Sequence, residues 1–248
     1  MPMLTLPAAT IHYEIEGAGF PVLMFAPGFL SSRMERWWTN PAKPGVPQPW
    51  ADPIPVLKPH FRLILLDVRN AGQSRGQIGP DDDWDTYTQD HLALLDHLGV
   101  ERCHIMGACI GVSFALSVAM ARPSAVTSLV LQNPIGLADN REAIAEDFGD
   151  WVKRVSQWPH VDTALLPDLE KRMFGGEFLF SVSREDVASL DIPMLLMPGN
   201  DTMHPAETSA DIARYARRIE VLEDWKGPDH RDAAMERVRD FLLEQTPT

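Results

Sequence analysis

Short apolar runs alternate with amphipathic stretches along almost the whole chain, and this rhythm limits the folds open to it. Val22-Leu23-Met24-Phe25-Ala26, Leu63-Ile64-Leu65-Leu66, His104-Ile105-Met106, Ser128 to Leu131 and Met194-Leu195-Leu196-Met197 have the length and composition of buried strands. Between them lie helical patterns. Trp84 to Leu98 places Leu92, Leu95 and Leu98 on one face and ends at Gly99. An apolar helix follows the Gly107–Gly111 turn as far as Met120, and Pro123 stops it. Strands separated by helices predict an α/β fold with a mostly parallel sheet flanked by helices.

The remaining segments fit that plan. Ile11 to Glu16 alternates like an edge strand, and helix 206–217, strand 219–222 and helix 231–244 complete it. Two stretches break the rhythm. Residues 39–59 are rich in proline and read as a long surface excursion. Residues 137–190 are helical and polar, with Trp151, Trp158, Phe174, Phe178 and Phe180, and read as a small helical lid. With 248 residues, the chain is expected to form one domain, 1–248, with the lid inserted at about 137–190.

A net charge of −13 repels phosphate backbones and anionic lipid surfaces, so no nucleic-acid or membrane partner is expected. Two cysteines, Cys103 and Cys109, do not make a disulfide framework. The first residues lack the basic and apolar regions of a signal peptide, and no apolar run approaches the ~20 residues that span a bilayer. The expectation is a cytoplasmic protein of unassigned oligomeric state.

The chemistry centres on Gly107-Ala108-Cys109-Ile110-Gly111, between a strand and a helix. Such a turn strains its apex residue and exposes that side chain above the sheet, and small neighbours are needed to avoid clashes. Helix N-terminal N–H groups favour a thiolate there. Asp201, just beyond a buried strand, is expected to orient a histidine, and His230, before the last helix, is expected to be the base. The chain order is then nucleophile, acid, base. His204 is a rival base and Asp139 a rival acid. The backbone N–H groups of Ile110 and Phe29 are the expected oxyanion hole, with Gly28 allowing close approach. Trp37, Trp38 and Met34, with Trp50 and Phe29, are expected to flank a pocket for an apolar or aromatic acyl group of a small-molecule substrate. Cys103 and His104 alternate along a strand, so a metal site with Cys109 is not expected, nor is a cofactor.

At this point the chain resembles the α/β-hydrolase superfamily over nearly its whole length. Phe25-Ala26-Pro27-Gly28-Phe29 is similar to the family's His-Gly oxyanion loop, with proline in place of histidine. Asp67-Val68-Arg69-Asn70-Ala71-Gly72-Gln73-Ser74 is similar to its D-x-R-G-x-G-x-S turn, with Asn70 for a glycine, and Pro198-Gly199-Asn200-Asp201 with Pro205 to its acid loop. Cysteine at the turn resembles dienelactone hydrolases and polyhydroxyalkanoate synthases at that position alone. The resemblance implies the α/β-hydrolase fold and hydrolysis of an ester, thioester or lactone through a covalent acyl-enzyme. An acyltransferase using the same cysteine, and a non-catalytic binding protein on the scaffold, are the alternatives.

Overall fold

The computed structural model describes residues 2–40, 46 and 48–248. The elements run in order: β1 (Met3–Thr5), β2 (Ala9–Glu16), β3 (Phe20–Phe25), α1 (Pro53–Leu57), β4 (Phe61–Leu66), β5 (Arg75–Gly76), α2 (Trp84–His97), β6 (Cys103–Ala108) and α3 (Ile110–Ala121). They continue with β7 (Val126–Gln132), α4 (Arg141–Val155), α5 (Leu166–Phe174), α6 (Arg184–Ser189), β8 (Met194–Met197), α7 (Ala206–Tyr215), β9 (Ile219–Val221) and α8 (Arg231–Gln245). The sheet order is β1-β2-β4-β3-β6-β7-β8-β9, with β5 paired to β2. Pairing is antiparallel around β2 and parallel from β4 to β9.

Alternation along each central strand sends side chains to two cores. Leu23 and Phe25 of β3, with Ile105 of β6, pack against α2 and α3 through residues such as Leu95 and Phe114. Val22, Met24 and Met106 face the other way, onto Trp37, Trp225, Val238 and Phe241 below α1 and α8. Fully burying side chains of this size stabilises the fold by roughly 1.5–3 kcal/mol each.

The strands and long helices follow the apolar pattern, with ends differing by one to a few residues. The proline-rich excursion differs. It contains α1, where Pro53 takes the first helical position and the Asp52 carboxylate accepts from the Ile54 N–H at 2.9 Å. Proline is compatible with that position because its missing N–H has no helical partner there, so it does not break the helix. Residues 41–45 and 47 of the excursion lie outside the described residues. The short β1 and β5 carry too few residues to give a period and were not anticipated. Between β7 and β8 lie α4, α5 and α6; α4 packs on the turn after β3 and on α5, and α6 packs on α7. Phe29, from the turn after β3, stacks on Phe174 of α5 with ring centroids 4.3 Å apart. Among the described residues no helix is long and apolar enough to cross a membrane.

Candidate active site

Cys109 lies where β6 turns directly into α3, with φ 56° and ψ −121°. That left-handed conformation costs on the order of 1–3 kcal/mol for a residue with a Cβ, and the surrounding structure holds it in place. The Cys109 N–H donates to the Gln132 carbonyl at 3.0 Å. A Cβ on Gly107 would collide with the Gly111 carbonyl, and one on Gly111 with the carbonyl of Phe25. The two glycines therefore let strand, turn and helix close on each other, and the thiol is left at the floor of a cavity of about 190 Å³.

The partner of that thiol is His204. Asp201 and His204 sit in one tight turn beyond β8, in which each backbone N–H donates to the other's carbonyl, at 3.2 and 3.1 Å. The Asp201 carboxylate also accepts from the N–H groups of Met203 and His204, both at 3.0 Å. Oδ1 of the same carboxylate meets His204 Nδ1 at 2.7 Å. The other ring nitrogen, Nε2, is buried with no hydrogen-bond partner among the described residues, and the imidazole sits beside Cys109 on the same cavity, close enough for each group to shift the other.

Burial pushes the Cys109 thiol up. The His204 charge, its hydrogen bond and the N–H groups of Gly28 and Ile110 outweigh that and leave it below the ordinary thiol range. Burial pushes His204 down, but the Cys109 charge and the Asp201 hydrogen bond overcome it and raise the imidazole to about 9. Both shifts favour a thiolate–imidazolium pair. Asp201 is itself held below the usual carboxylate range: burial raises it, and the hydrogen bond and charge of His204 prevail.

His230 is not part of this arrangement. It caps α8, is exposed, and lines a separate groove of about 440 Å³ with Trp225 and Lys226. The physical reason lies in the loop after β9. That loop is fixed by the Trp225 indole N–H donating to the Pro198 carbonyl at 3.0 Å, and by Gly227 N–H on the Pro49 carbonyl at 2.8 Å. Lys226, not a histidine, reaches the end of the sheet, donating to the side-chain oxygens of Asn133 at 2.8 Å and Asn200 at 3.2 Å. Asp139 hydrogen-bonds to no histidine among the described residues. The structure thus brings Cys109 and Asp201 together about His204 and leaves His230 apart on another groove.

Of the two expected oxyanion donors, Ile110 N–H reaches the sulfur, and from the β3 loop it is Gly28 N–H that does so. Phe29 follows directly, in a left-handed turn with φ 55°. Met34 and Trp37 lie in the core below the sheet, 3% and 0% exposed. Trp38 is exposed and borders a different cavity, with Glu35 and Asp67. None of the three lines the Cys109 cavity; Trp50 does. Met34 and Trp37 belong to a short helical turn, Met34–Trp37, which aims both inward, and Trp38 caps its end. Polar groups of Arg36, Gln132 and Asn133 share the cavity with Cys109 and His204, beside the apolar surfaces of Pro27, Trp50 and Ala108.

Sequence reasoning did not single out Arg36 or Gln132. Arg36 has no pattern around it. Gln132 does carry a signal, since it is a polar residue closing the apolar strand Leu129-Val130-Leu131. Arg36 is lowered to about 10, by burial first and then by the charges of Arg33 and Arg154, against the opposing pull of Cys109 and Asp147. Among the described residues no group of three or more His, Cys, Asp or Glu side chains is placed to hold a metal ion.

A reactive side chain at a strand–helix turn, served by a loop beyond a later parallel strand, defines a class of enzymes built on one sheet topology. The alpha/beta hydrolase fold family matches residues 21–180, and the chain belongs to that family as a hydrolase. It is 31% identical over 247 residues to the protein described as "Putative carbamate hydrolase RutD" of Azorhizobium caulinodans, covering 88% of this chain and 87% of that one. Among solved structures, a meta-cleavage product hydrolase of Pseudomonas fluorescens superposes with a TM-score of 0.70 at 19% identity, over 96% of each chain. The enol-lactonase of Burkholderia xenovorans superposes with a TM-score of 0.68 at 18% identity, over 98% of this chain and 100% of that one. The last two similarities establish the fold alone.

Proposed function

We propose that the protein hydrolyses an ester, thioester or lactone through a covalent acyl-enzyme on Cys109, with His204 as acid and base and Asp201 as its orienting carboxylate. The observation that carries this reading is the Asp201–His204 contact at 2.7 Å with the imidazole and Cys109 lining one cavity. The Cys109 thiolate attacks the carbonyl carbon and forms the C–S bond. The carbonyl oxygen takes up the electron pair beside Ile110 N–H and the Gly28–Phe29 turn, donors that cost no reorganisation as the charge develops. The tetrahedral intermediate collapses, the bond to the leaving group breaks, and His204 Nε2 gives that group its proton. Water enters, Nε2 takes its proton, and hydroxide adds to the thioester. The acid departs and the thiolate is restored against imidazolium. Asp201 fixes the ring so that Nε2 faces the reacting atoms throughout.

The description of the RutD relative as a putative carbamate hydrolase adds carbamates to the carbonyl compounds worth offering. The test is intact mass after mixing with p-nitrophenyl esters and carbamates of several acyl lengths. An adduct on the wild type that is absent from Cys109→Ala is the expected result. Full turnover by Cys109→Ala would overturn it. Adding a thiol or amine acceptor in the same experiment separates hydrolysis from acyl transfer, the alternative the cysteine leaves open.

A further inference from the structure

The Cys109 cavity contains two strong hydrogen-bonding groups that have unpartnered side-chain atoms among the described residues. The first is Arg36. Its guanidinium makes no ion pair and no side-chain hydrogen bond among the described residues, and its Nε is buried and unsatisfied. The Asp147 carboxylate influences it by charge but forms no ion pair with it and is exposed. The second is Gln132 at the end of β7. It is 0% exposed, and neither its Oε1 nor its Nε2 has a partner. Leaving a buried amide unpaired costs about 1–3 kcal/mol, and an uncompensated partly buried charge costs more. Two such groups facing one cavity are complementary to a ligand that accepts hydrogen bonds and carries negative charge.

Their position relative to the reacting sulfur narrows the ligand. The guanidinium lies flat on the backbone at Gly28, so closely that a Cβ there would overlap Arg36 Cδ, Nε and Cζ. Gly28, Arg36 and Cys109 line the same cavity. An anion held by Arg36 is therefore only a few bonds from a carbonyl attacked by Cys109. The cavity volume of about 190 Å³ is below the 300–1,000 Å³ usual for ligand sites, so the group it takes is small. Arg33 and Arg154 are close enough to act on Arg36, but Arg33 is paired with Glu35 at 3.0 Å, so Arg36 is the cation that faces the cavity. The planar fork of arginine matches the two oxygens of a carboxylate.

We infer that the substrate's acyl portion is short and carries a carboxylate, held by Arg36 and Gln132 beside the carbonyl that Cys109 attacks. This rests on Cys109 being the nucleophile, and the experiment separates the two claims. Iodoacetate and iodoacetamide both alkylate a thiolate by the same step: sulfur displaces iodide, a C–S bond forms and the C–I bond breaks. They differ in carrying a carboxylate or a neutral amide. The ratio of their rates at Cys109, followed by mass and divided by the ratio for free N-acetylcysteine, reports carboxylate recognition without any turnover. The wild type is expected to favour iodoacetate by at least about tenfold over the free thiol, in keeping with a hydrogen bond to a charged group. Arg36→Met is expected to lose that preference and Gln132→Leu to reduce it. In the wild type itself, succinate is expected to protect Cys109 from iodoacetamide while succinamide does not, which requires no variant to fold. Alkylation by iodoacetamide with no preference for iodoacetate and no protection by succinate overturns the carboxylate inference and leaves the nucleophile standing. Reaction with neither reagent overturns both.

Discussion

His204 takes its orientation from a carboxylate three residues before it: Nδ1 meets Asp201 Oδ1 at 2.7 Å inside a single turn beyond β8. The same oxygen also accepts two backbone N–H groups of that turn. The contact that fixes the loop is thus also the contact that aims the ring.

The first prediction separates the two histidines. His204→Asn removes the group that moves protons and is expected to lower kcat by about 10²–10⁴-fold. His230→Ala, at an exposed helix cap outside the cavity, is expected to stay within about twofold, the range of an unremarkable surface substitution. Steady-state kinetics on any confirmed ester decides this, and the reverse ranking would restore His230 as the base.

Asp201→Asn tests orientation apart from the turn. The amide oxygen still accepts the Met203 and His204 N–H groups, so the loop holds, while the partner of Nδ1–H loses its charge. A fall in kcat of about 10²-fold or more is expected, with thermal stability changed by less than the loss in rate suggests. Unchanged kcat would mean that the ring is held by packing alone.

The charge pair predicts a pH dependence. A thiol held below its ordinary range stays ionised at pH values where free thiols are protonated, so alkylation of Cys109 by iodoacetamide is expected to persist to lower pH than that of free N-acetylcysteine. Removing His204 is expected to move the inflection upward. The imidazolium contribution has the opposite sign. With the folded His204 at about 9 and a free histidine near 6.5, it stabilises fully below about 6.5 and is lost as pH rises through 9. The melting temperature of the wild type relative to His204→Asn is expected to fall across that interval, and kcat/KM to decline above it as the proton for the leaving group is lost.

Trp37 tests the placement of the excursion's first turn. It is fully buried among Met24, Met106 and Trp225, so Trp37→Ala is expected to cost about 3–5 kcal/mol in denaturant unfolding. Trp50→Ala, at the cavity, is expected to change KM more than stability. If Trp37→Ala altered KM and left the unfolding midpoint in place, the turn would have to face the substrate.

The sheet was legible because a parallel strand buried on both faces must be a short apolar run, as β3, β6 and β8 are. The strand–helix turn at Cys109 was legible because Gly107 and Gly111 are imposed by contacts local in sequence. The base was not. Whether a loop histidine reaches a sulfur depends on which way the loop turns, and that is decided by Trp225 binding Pro198 and Gly227 binding Pro49, contacts between distant segments. The tryptophans misled for a related reason. An aromatic pair beside a presumed pocket reads as lining, yet Trp37 and Trp38 point in opposite directions from a short helical turn. Arg36 was silent because its significance lies in having no partner, which no pattern of neighbours encodes.

In the proposed mechanism the orienting carboxylate and the base share one loop of four residues, which changes what the rest of the chain is free to do. The segment after β9 is relieved of proton handling, and its length and the slant of α8 can drift with only packing to answer for. The 201–204 turn has the opposite position: one insertion or deletion there removes both partners of Cys109 in a single event, so the two functions are inherited, moved or lost together.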